Sequence, residues 1–113
     1  MQILNDKIKL SELNSTAQKM FGSLVKGTVD VKKEIVAIDA ELHSDLAEFL
    51  VENGSHGQNL WGFNIYPELG GDEWLEFDSM INVKPNINNR TRNIENPQTK
   101  KIAEEIIKKF IVP

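Results

Sequence analysis

Two histidines and the carboxylates near them are the first groups in this sequence with the chemistry for acid–base or metal catalysis. His43 lies in the run Glu41-Leu42-His43-Ser44-Asp45. On a regular helix, Glu41 and Asp45 would each project roughly 160° away from His43, so the three could not hold one ion. A site with two histidines and one carboxylate would also need His56 to approach them. We therefore expect His43 to be a boundary residue bonded to a backbone carbonyl. A small metal-dependent hydrolase or lyase that uses His43 with Glu41 or Asp45 remains an alternative.

A second set of candidates consists of asparagines and an arginine, which recognise ligands through directional hydrogen bonds rather than by transferring protons. Asn64 and Asn82 lie in segments of alternating polarity, and we expect them to project from a hairpin on the side opposite the core. Asn89 and Arg90 lie in the loop that follows, and His43 would be near. The alternative is a plain exposed sheet face followed by asparagines that form turns. The same segments carry further polar residues: Glu76, Asp78, Asn88 and Arg92.

Three amphipathic helices are predicted from apolar residues that recur at steps of three and four. The first runs from about Ser11 to Val25 and the second from about Ala40 to Glu52. The third begins at Asn96-Pro97, where asparagine caps the helix and proline takes its first position. The predicted apolar stripes are Leu10, Leu13, Ala17, Met20, Phe21 and Leu24; Leu42, Leu46, Phe49 and Leu50; and Ile102, Ala103, Ile106, Ile107 and Phe110.

A first hairpin is predicted between helices one and two. A turn at Lys32-Lys33 sets Val29 opposite Val36 and Gly27 opposite Ile38, which gathers apolar side chains on one face. Because two lysines do not form a favoured two-residue turn, we expect the loop to be a residue or two longer.

A second hairpin is predicted between helices two and three. It joins residues 61–66 to residues 75–83 through a glycine-rich loop, and Pro67 and Pro85 end its strands. Ile3, Leu4, Ile8 and Leu10 could add a short edge strand. The predicted order is α-β-β-α-β-β-α, an α+β fold with an antiparallel sheet of two hairpins and three helices packed on one side.

The composition is that of one soluble domain, residues 1–113. The sequence contains no cysteine, which excludes disulfides and thiol chemistry. No apolar run approaches the roughly 20 residues that span a bilayer, and the first residues have neither a basic nor an apolar region typical of a signal peptide. We therefore expect a cytoplasmic protein that does not insert into membranes.

Charge is distributed unevenly along the chain. Residues 1–83 carry 6 Lys and Arg against 14 Asp and Glu, whereas residues 84–113 carry 7 against 3. The acidic part repels phosphate backbones, so we expect no nucleic-acid partner. The basic segment can balance the charge of the acidic part within one chain, and this is what we expect. The alternative is that it does so between two copies.

Several motifs together resemble a small prokaryotic family described as a domain of unknown function. They are Glu41-Leu42-His43-x-Asp45, Gly54-Ser55, Leu60-Trp61-Gly62-x-Asn64-x-Tyr66-Pro67 and Ile81-Asn82-x-Lys84-Pro85, followed by Asn89-Arg90. The resemblance covers about residues 18–110 and implies no activity. It implies that His43, Asn64, Asn82 and Arg90 share one surface. Lys84 stands where we expect Arg from the family pattern, which weakens a bidentate contact with an anion at that position.

These observations favour a binding module over an enzyme. We expect a polar patch of His43, Asn64, Asn82, Asn89 and Arg90, in which the asparagines orient a small anionic or amide-bearing ligand and Arg90 neutralises it. No motif calls for a cofactor. Two alternatives to this binding module remain. One is the small metal-dependent hydrolase or lyase described above. The other is a protein-interaction module that forms a homo-oligomer such as a homodimer.

Overall fold

A computed structural model describes the whole chain, residues 1–113, as three α-helices and seven β-strands. The strands are β1 (Gln2–Ile3), β2 (Ile8–Lys9), β3 (Val25–Asp30), β4 (Ile35–Ile38), β5 (Leu60–Ile65), β6 (Leu75–Glu76) and β7 (Ile111–Val112). The helices are α1 (Leu13–Met20), α2 (His43–Glu52) and α3 (Pro97–Phe110). Short 3-10 turns lie at Leu10–Glu12, Gly57–Asn59, Met80–Asn82 and Pro85–Ile87.

The main sheet has five antiparallel strands in the order β1-β4-β3-β5-β6, and β2 pairs in parallel with β7. This arrangement confirms the α+β class and the order of the main elements. The predicted edge strand is also present, because β1 pairs with the outer side of β4.

The first hairpin has the predicted register. Gly27 lies opposite Ile38 and Val29 opposite Val36. The loop is longer than two residues, as expected: it spans residues 31–34, and the buried Asp30 carboxylate accepts hydrogen bonds from two of its backbone N–H groups.

The sheet is covered on both faces, so the prediction that all helices pack on one side is wrong. One face carries Val29, Val36 and Phe63 and packs in the same core as apolar side chains of α1 and α3. The other face carries Ala37 and Leu60 and packs against α2. The reason is the alternation of side chains along each strand: apolar residues occur on both faces of β4 and β5, and each face needs its own cover.

The second hairpin is shorter than predicted. β6 contains only two residues, which pair with Asn64 and Ile65 of β5. The Ser79 side chain then caps the 3-10 turn Met80–Asn82 by accepting a hydrogen bond from the Ile81 N–H. Ile81 and Val83 therefore lie outside the sheet. Alternating polarity predicted a strand here, but side-chain hydrogen bonds give the backbone a competing conformation.

The helix ends follow local capping. Asn96 Oδ1 accepts hydrogen bonds from the Gln98 and Thr99 N–H groups and Pro97 is the first residue of α3, as predicted. α1 ends five residues before the predicted Val25, and Gly22 follows with a φ of 83°. Four residues of the predicted apolar stripes are exposed rather than buried: Met20, Phe21, Leu42 and Ile102. A membrane-spanning helix is not found among the three, since none combines the required length with the required hydrophobicity.

Three ion pairs each join a cation of the basic C-terminal segment to a carboxylate of the acidic part. They are Arg92–Asp78, Lys108–Asp72 and Lys109–Glu34. The expected compensation within one chain is therefore confirmed for these groups. Association between copies stays a prediction.

Candidate functional site

Asn82 is completely buried, and it closes the free edge of β5. Its Oδ1 accepts a hydrogen bond from the Gly62 N–H at 2.7 Å. Its Nδ2 donates to the Gly62 carbonyl at 3.0 Å and to the Arg92 carbonyl at 2.8 Å. The carboxamide thus pairs with Gly62 as a residue of a neighbouring strand would, and its hydrogen-bonding groups are occupied by backbone.

Asn89 and Arg90 lie in a loop that is held together by side chain–backbone bonds. Asn89 Nδ2 donates to the Asn82 and Asn93 carbonyls at 2.6 and 2.7 Å, and its Oδ1 accepts from the Glu95 N–H. Glu95 accepts from the Arg90 backbone N–H, and bonds of this kind hold the pKa of its carboxyl below the usual range. The Arg90 side chain is exposed, and Arg90 does not line the cavity that contains His43 and Asn64.

His43 begins α2, and its ring is buried against the sheet. Nε2 lies 2.9 Å from the Phe63 carbonyl oxygen, and because a carbonyl only accepts, we assign the proton to Nε2. This confirms the expected backbone partner. Burial lowers the pKa of His43, and the hydrogen bond to Phe63 opposes that effect. Space for the ring exists because residue 62 is glycine: a Cβ there would lie 3.1 Å from His43 Cγ and 2.6 Å from the Ser79 side chain.

The acidic neighbours of His43 do not join it. Glu41 and Asp45 are exposed, and so is His56. No three histidine or carboxylate side chains lie close enough together to hold a metal ion. The residues named for a metal-dependent reaction therefore form no ligand set.

Asn64 lines a cavity of about 230 Å³ and is 7% exposed. The strand register places it between Lys26 of β3 and Glu76 of β6, in one polar row across the sheet. Asn64 Nδ2 donates to Glu76 Oε1 at 3.1 Å and, more weakly, to the Asp78 carbonyl at 3.4 Å. Asn64 Oδ1 has no hydrogen-bond partner and is the one buried side-chain polar atom in the chain of which this is true.

Glu76 fixes the orientation of the Asn64 carboxamide. An ionised carboxylate only accepts hydrogen bonds, so the Asn64 NH₂ must face it and Oδ1 must face away. Glu76 Oε1 also accepts from the Tyr66 hydroxyl at 2.8 Å. Partial burial and this carboxylate raise the pKa of Tyr66 to about 12. The orphaned oxygen is therefore held in place. Its carboxamide is close enough to the His43 ring to raise the ring's pKa, although Oδ1 makes no well-formed hydrogen bond.

Two cations and one carboxylate complete the cavity wall. Arg92 Nε lies 2.6 Å from Asp78 Oδ1, and both side chains are about half exposed. Lys26 Nζ lies over the Phe21 ring, 4.9 Å from its centroid. The remaining lining residues are Leu24, Leu42, His43, Ser44, Ser79, Met80 and Ile81.

The structure thus brings together His43 and Asn64 of the predicted patch. Asn82 and Asn89 are instead buried and bonded to backbone, and Arg90 is exposed outside the cavity. Sequence reasoning did not identify Lys26 as a site residue. Lys26 faces Asn64 only because β3 pairs with β5, and the two hairpins predicted from the sequence do not contain this pairing.

Other cavities offer a weaker case for a ligand. Three larger ones, of about 380, 540 and 290 Å³, leave no buried polar side-chain atom unpaired. Lys84 contributes to the first of them. Its Nζ donates to the Ile81 carbonyl and lies 5.1 Å from the centroid of the Trp61 ring, and burial lowers its pKa.

We predict that Asn82→Asp destabilises the fold by roughly 3 kcal/mol or more, because two backbone carbonyls lose their donor and face a buried carboxylate. Urea unfolding measures this loss. It should shrink at acidic pH, where a protonated Asp regains one O–H donor. The exposed Asn86→Asp is the matched control. An equal effect of the two substitutions would contradict the role of Asn82.

We also predict that His43 makes stability pH-dependent. Its pKa in the fold is lowered by burial and by Lys26, and is raised by Phe63, Asn64 and Asp78, with a net lowering from 6.5. The unfolded chain therefore binds a proton first, and the free energy of unfolding falls as pH drops through about 6.5 until the folded pKa is passed.

His43→Gln keeps a donor for the Phe63 carbonyl but cannot titrate, so it should lose this part of the pH slope in urea unfolding between pH 7.5 and 5.5. His56→Gln, at an exposed histidine, is the control. A slope that His43→Gln leaves unchanged would show that His43 does not cause it.

Comparison with known proteins supports the resemblance seen in the sequence. No curated protein matches the chain, and no solved structure matches it. A family model described as a protein of unknown function, DUF5674, matches residues 2–110. Because this match extends over nearly the whole sequence, the chain belongs to the DUF5674 family.

Proposed function

We propose that this protein is a binding module for a small amide-bearing ligand, which it holds in the cavity between Asn64, His43 and Arg92. The observation that carries the proposal is the unpaired Asn64 Oδ1, buried and fixed in orientation by Glu76. A buried acceptor without a partner costs about 1–3 kcal/mol. The oxygen itself has less than 1 Å² of exposed surface, so a ligand N–H must displace part of the cavity wall to reach it, and would then remove that cost.

The polarity of the cavity favours an amide over an anion. An anion would place negative charge beside Asn64 Oδ1, which is itself an acceptor. An amide offers both groups that the cavity can bind: its N–H would donate to Asn64 Oδ1, and its carbonyl would accept from Lys26 or Arg92. The Asp78 carboxylate pairs with Arg92 and so reduces the positive charge that an anion would meet.

The size of the cavity limits the ligand. Pockets for drug-sized molecules are about 300–1,000 Å³, and this cavity is about 230 Å³. It therefore suits a group no larger than one carboxamide with a short apolar attachment.

The sequence suggested that Arg90 contacts the ligand, and in this proposal Arg92 makes that contact instead. Both arginines are exposed, but only Arg92 lines the cavity and pairs with Asp78. Its guanidinium keeps further N–H donors beyond the Nε–Asp78 bond.

We predict that acetamide shifts the NMR signals of the Asn64 side-chain NH₂ and of the backbone around Gly62 in a saturable manner, whereas acetate does not. Asn64→Leu removes the acceptor while keeping a similar volume, and should abolish the response. Asn86→Leu, at an exposed asparagine, should leave it intact.

A second pair of variants avoids any effect on the core. Arg92→Gln should weaken acetamide binding several-fold, and Arg90→Gln should not. Saturable acetate binding with no response to acetamide would overturn the proposal. Loss of binding in Arg90→Gln alone would return the role to Arg90.

A further inference from the structure

The second ring nitrogen of His43, Nδ1, is an acceptor that the fold leaves unused. Nε2 donates to the Phe63 carbonyl at 2.9 Å, so Nδ1 of the neutral ring carries no proton and can only accept. No group of the chain donates to it. Asn64 Oδ1 is the one buried side-chain polar atom without a partner, so Nδ1, which also lacks one, retains accessible surface. Because His43 lines the cavity, a ligand there can reach this nitrogen.

The backbone of β5 fixes the direction of that lone pair. The His43 ring lies over Gly62, where a Cβ would be 3.1 Å from His43 Cγ, and its Nε2 is bonded to the next residue, Phe63. Asn64 follows, and it projects to the same face of the strand as Gly62. Two acceptors, Nδ1 of the ring and Oδ1 of the carboxamide, therefore lie side by side in one wall of the cavity.

The charged groups around the ring are engaged elsewhere. Lys26 Nζ, from β3, lies over an aromatic ring. Arg92 Nε, from the loop before α3, is paired with Asp78. Glu76 of β6 accepts from the Asn64 NH₂ and offers no donor. The donor for Nδ1 is thus left to come from a ligand.

We infer that His43 Nδ1 contacts the ligand and restricts the cavity to primary amides. This inference rests on the proposed function. A primary amide has two N–H groups on one nitrogen, so one can donate to His43 Nδ1 and the other to Asn64 Oδ1. Since Nδ1 retains accessible surface whereas Oδ1 has less than 1 Å², the contact with His43 forms first. A secondary amide has a single N–H and leaves one of the two acceptors unpaired.

Protonation of His43 reverses the role of this nitrogen. The cationic ring has N–H groups on both nitrogens, so Nδ1 would face the ligand NH₂ as a second donor. A proton and a primary amide therefore compete for one lone pair, and each weakens binding of the other. Burial lowers the pKa of the ring most and Lys26 lowers it further, whereas Phe63, Asn64 and Asp78 raise it.

Two isomeric amides test the inference. Propionamide and N-methylacetamide have the same composition, but only propionamide has an NH₂ group. NMR titration at pH 8, where the ring is neutral, should show that propionamide binds at least about fivefold more tightly than N-methylacetamide, the effect of one hydrogen bond of typical net strength. Acetamide should behave as propionamide does.

The pH dependence of acetamide binding tests the same contact separately. The pKa of His43 in the free protein is measured from its ring C2–H signal. The dissociation constant of acetamide should be about twice its pH 8 value at that pKa, and rise about tenfold for each further pH unit below it. In His43→Gln, whose carboxamide can donate to Phe63 and accept with its oxygen but cannot titrate, the pH dependence should disappear. His56→Gln, at an exposed histidine, should retain it.

Each outcome separates the inference from the proposed function. If acetamide binds but N-methylacetamide binds as tightly as propionamide, the inference is overturned and the proposed function stands. The same holds if acetamide binding does not weaken below the pKa of His43, or if His43→Gln keeps the pH dependence. If none of the three amides binds at pH 8, both are overturned.

Discussion

The hydrogen bonds between the Asn82 carboxamide and the backbone of Gly62 are the interaction on which the rest of this site depends. Through them a side chain, rather than a neighbouring strand, provides the hydrogen-bond partners for the Gly62 N–H and carbonyl at the free edge of β5. The chain after β6 can therefore turn at Ser79 and leave the sheet rather than extend along β5. That path places Asp78 and Arg92 over Asn64. The absence of a side chain at Gly62 makes the same path possible, because His43 and Ser79 occupy the space where a Cβ would lie.

A second constraint acts within the cavity itself. Lys26, Asn64 and Glu76 form one row across three strands, and the carboxylate at the end of that row takes the Asn64 NH₂. The amide oxygen is then left without a partner in an otherwise well-satisfied interior. Buried polar groups are nearly always hydrogen-bonded, and this unpaired oxygen is the exception on which the proposed recognition of a donor rests. The neutral His43 beside it and the paired charges of Arg92 and Asp78 keep the surroundings compatible with an uncharged ligand.

Local sequence signals predicted much of the fold. Asn96-Pro97 identified the start of α3, and apolar alternation set the register of Val29 against Val36. Two features lay beyond such signals. The pairing of β3 with β5, which brings Lys26 to Asn64, is a contact between distant segments that no periodicity encodes. The sequence also did not predict the role of Asn82 and Asn89. An asparagine in a polar segment is equally typical of an exposed turn and of a buried site where its side chain bonds to backbone. The predicted second hairpin and the loop after it placed these residues near one another. Only the hydrogen bonds show that Asn82 and Asn89 hold the loop together and that Asn64 lines the cavity.

The most direct measurement is a high-resolution crystal structure of the protein grown with acetamide. We expect the ligand nitrogen within hydrogen-bond distance of Asn64 Oδ1, about 2.7–3.2 Å, with the Asn64 NH₂ still on Glu76. A structure in which Asn64 Oδ1 already accepts a donor from the protein, or in which its carboxamide is turned to face the cavity with Nδ2, would contradict the proposed recognition.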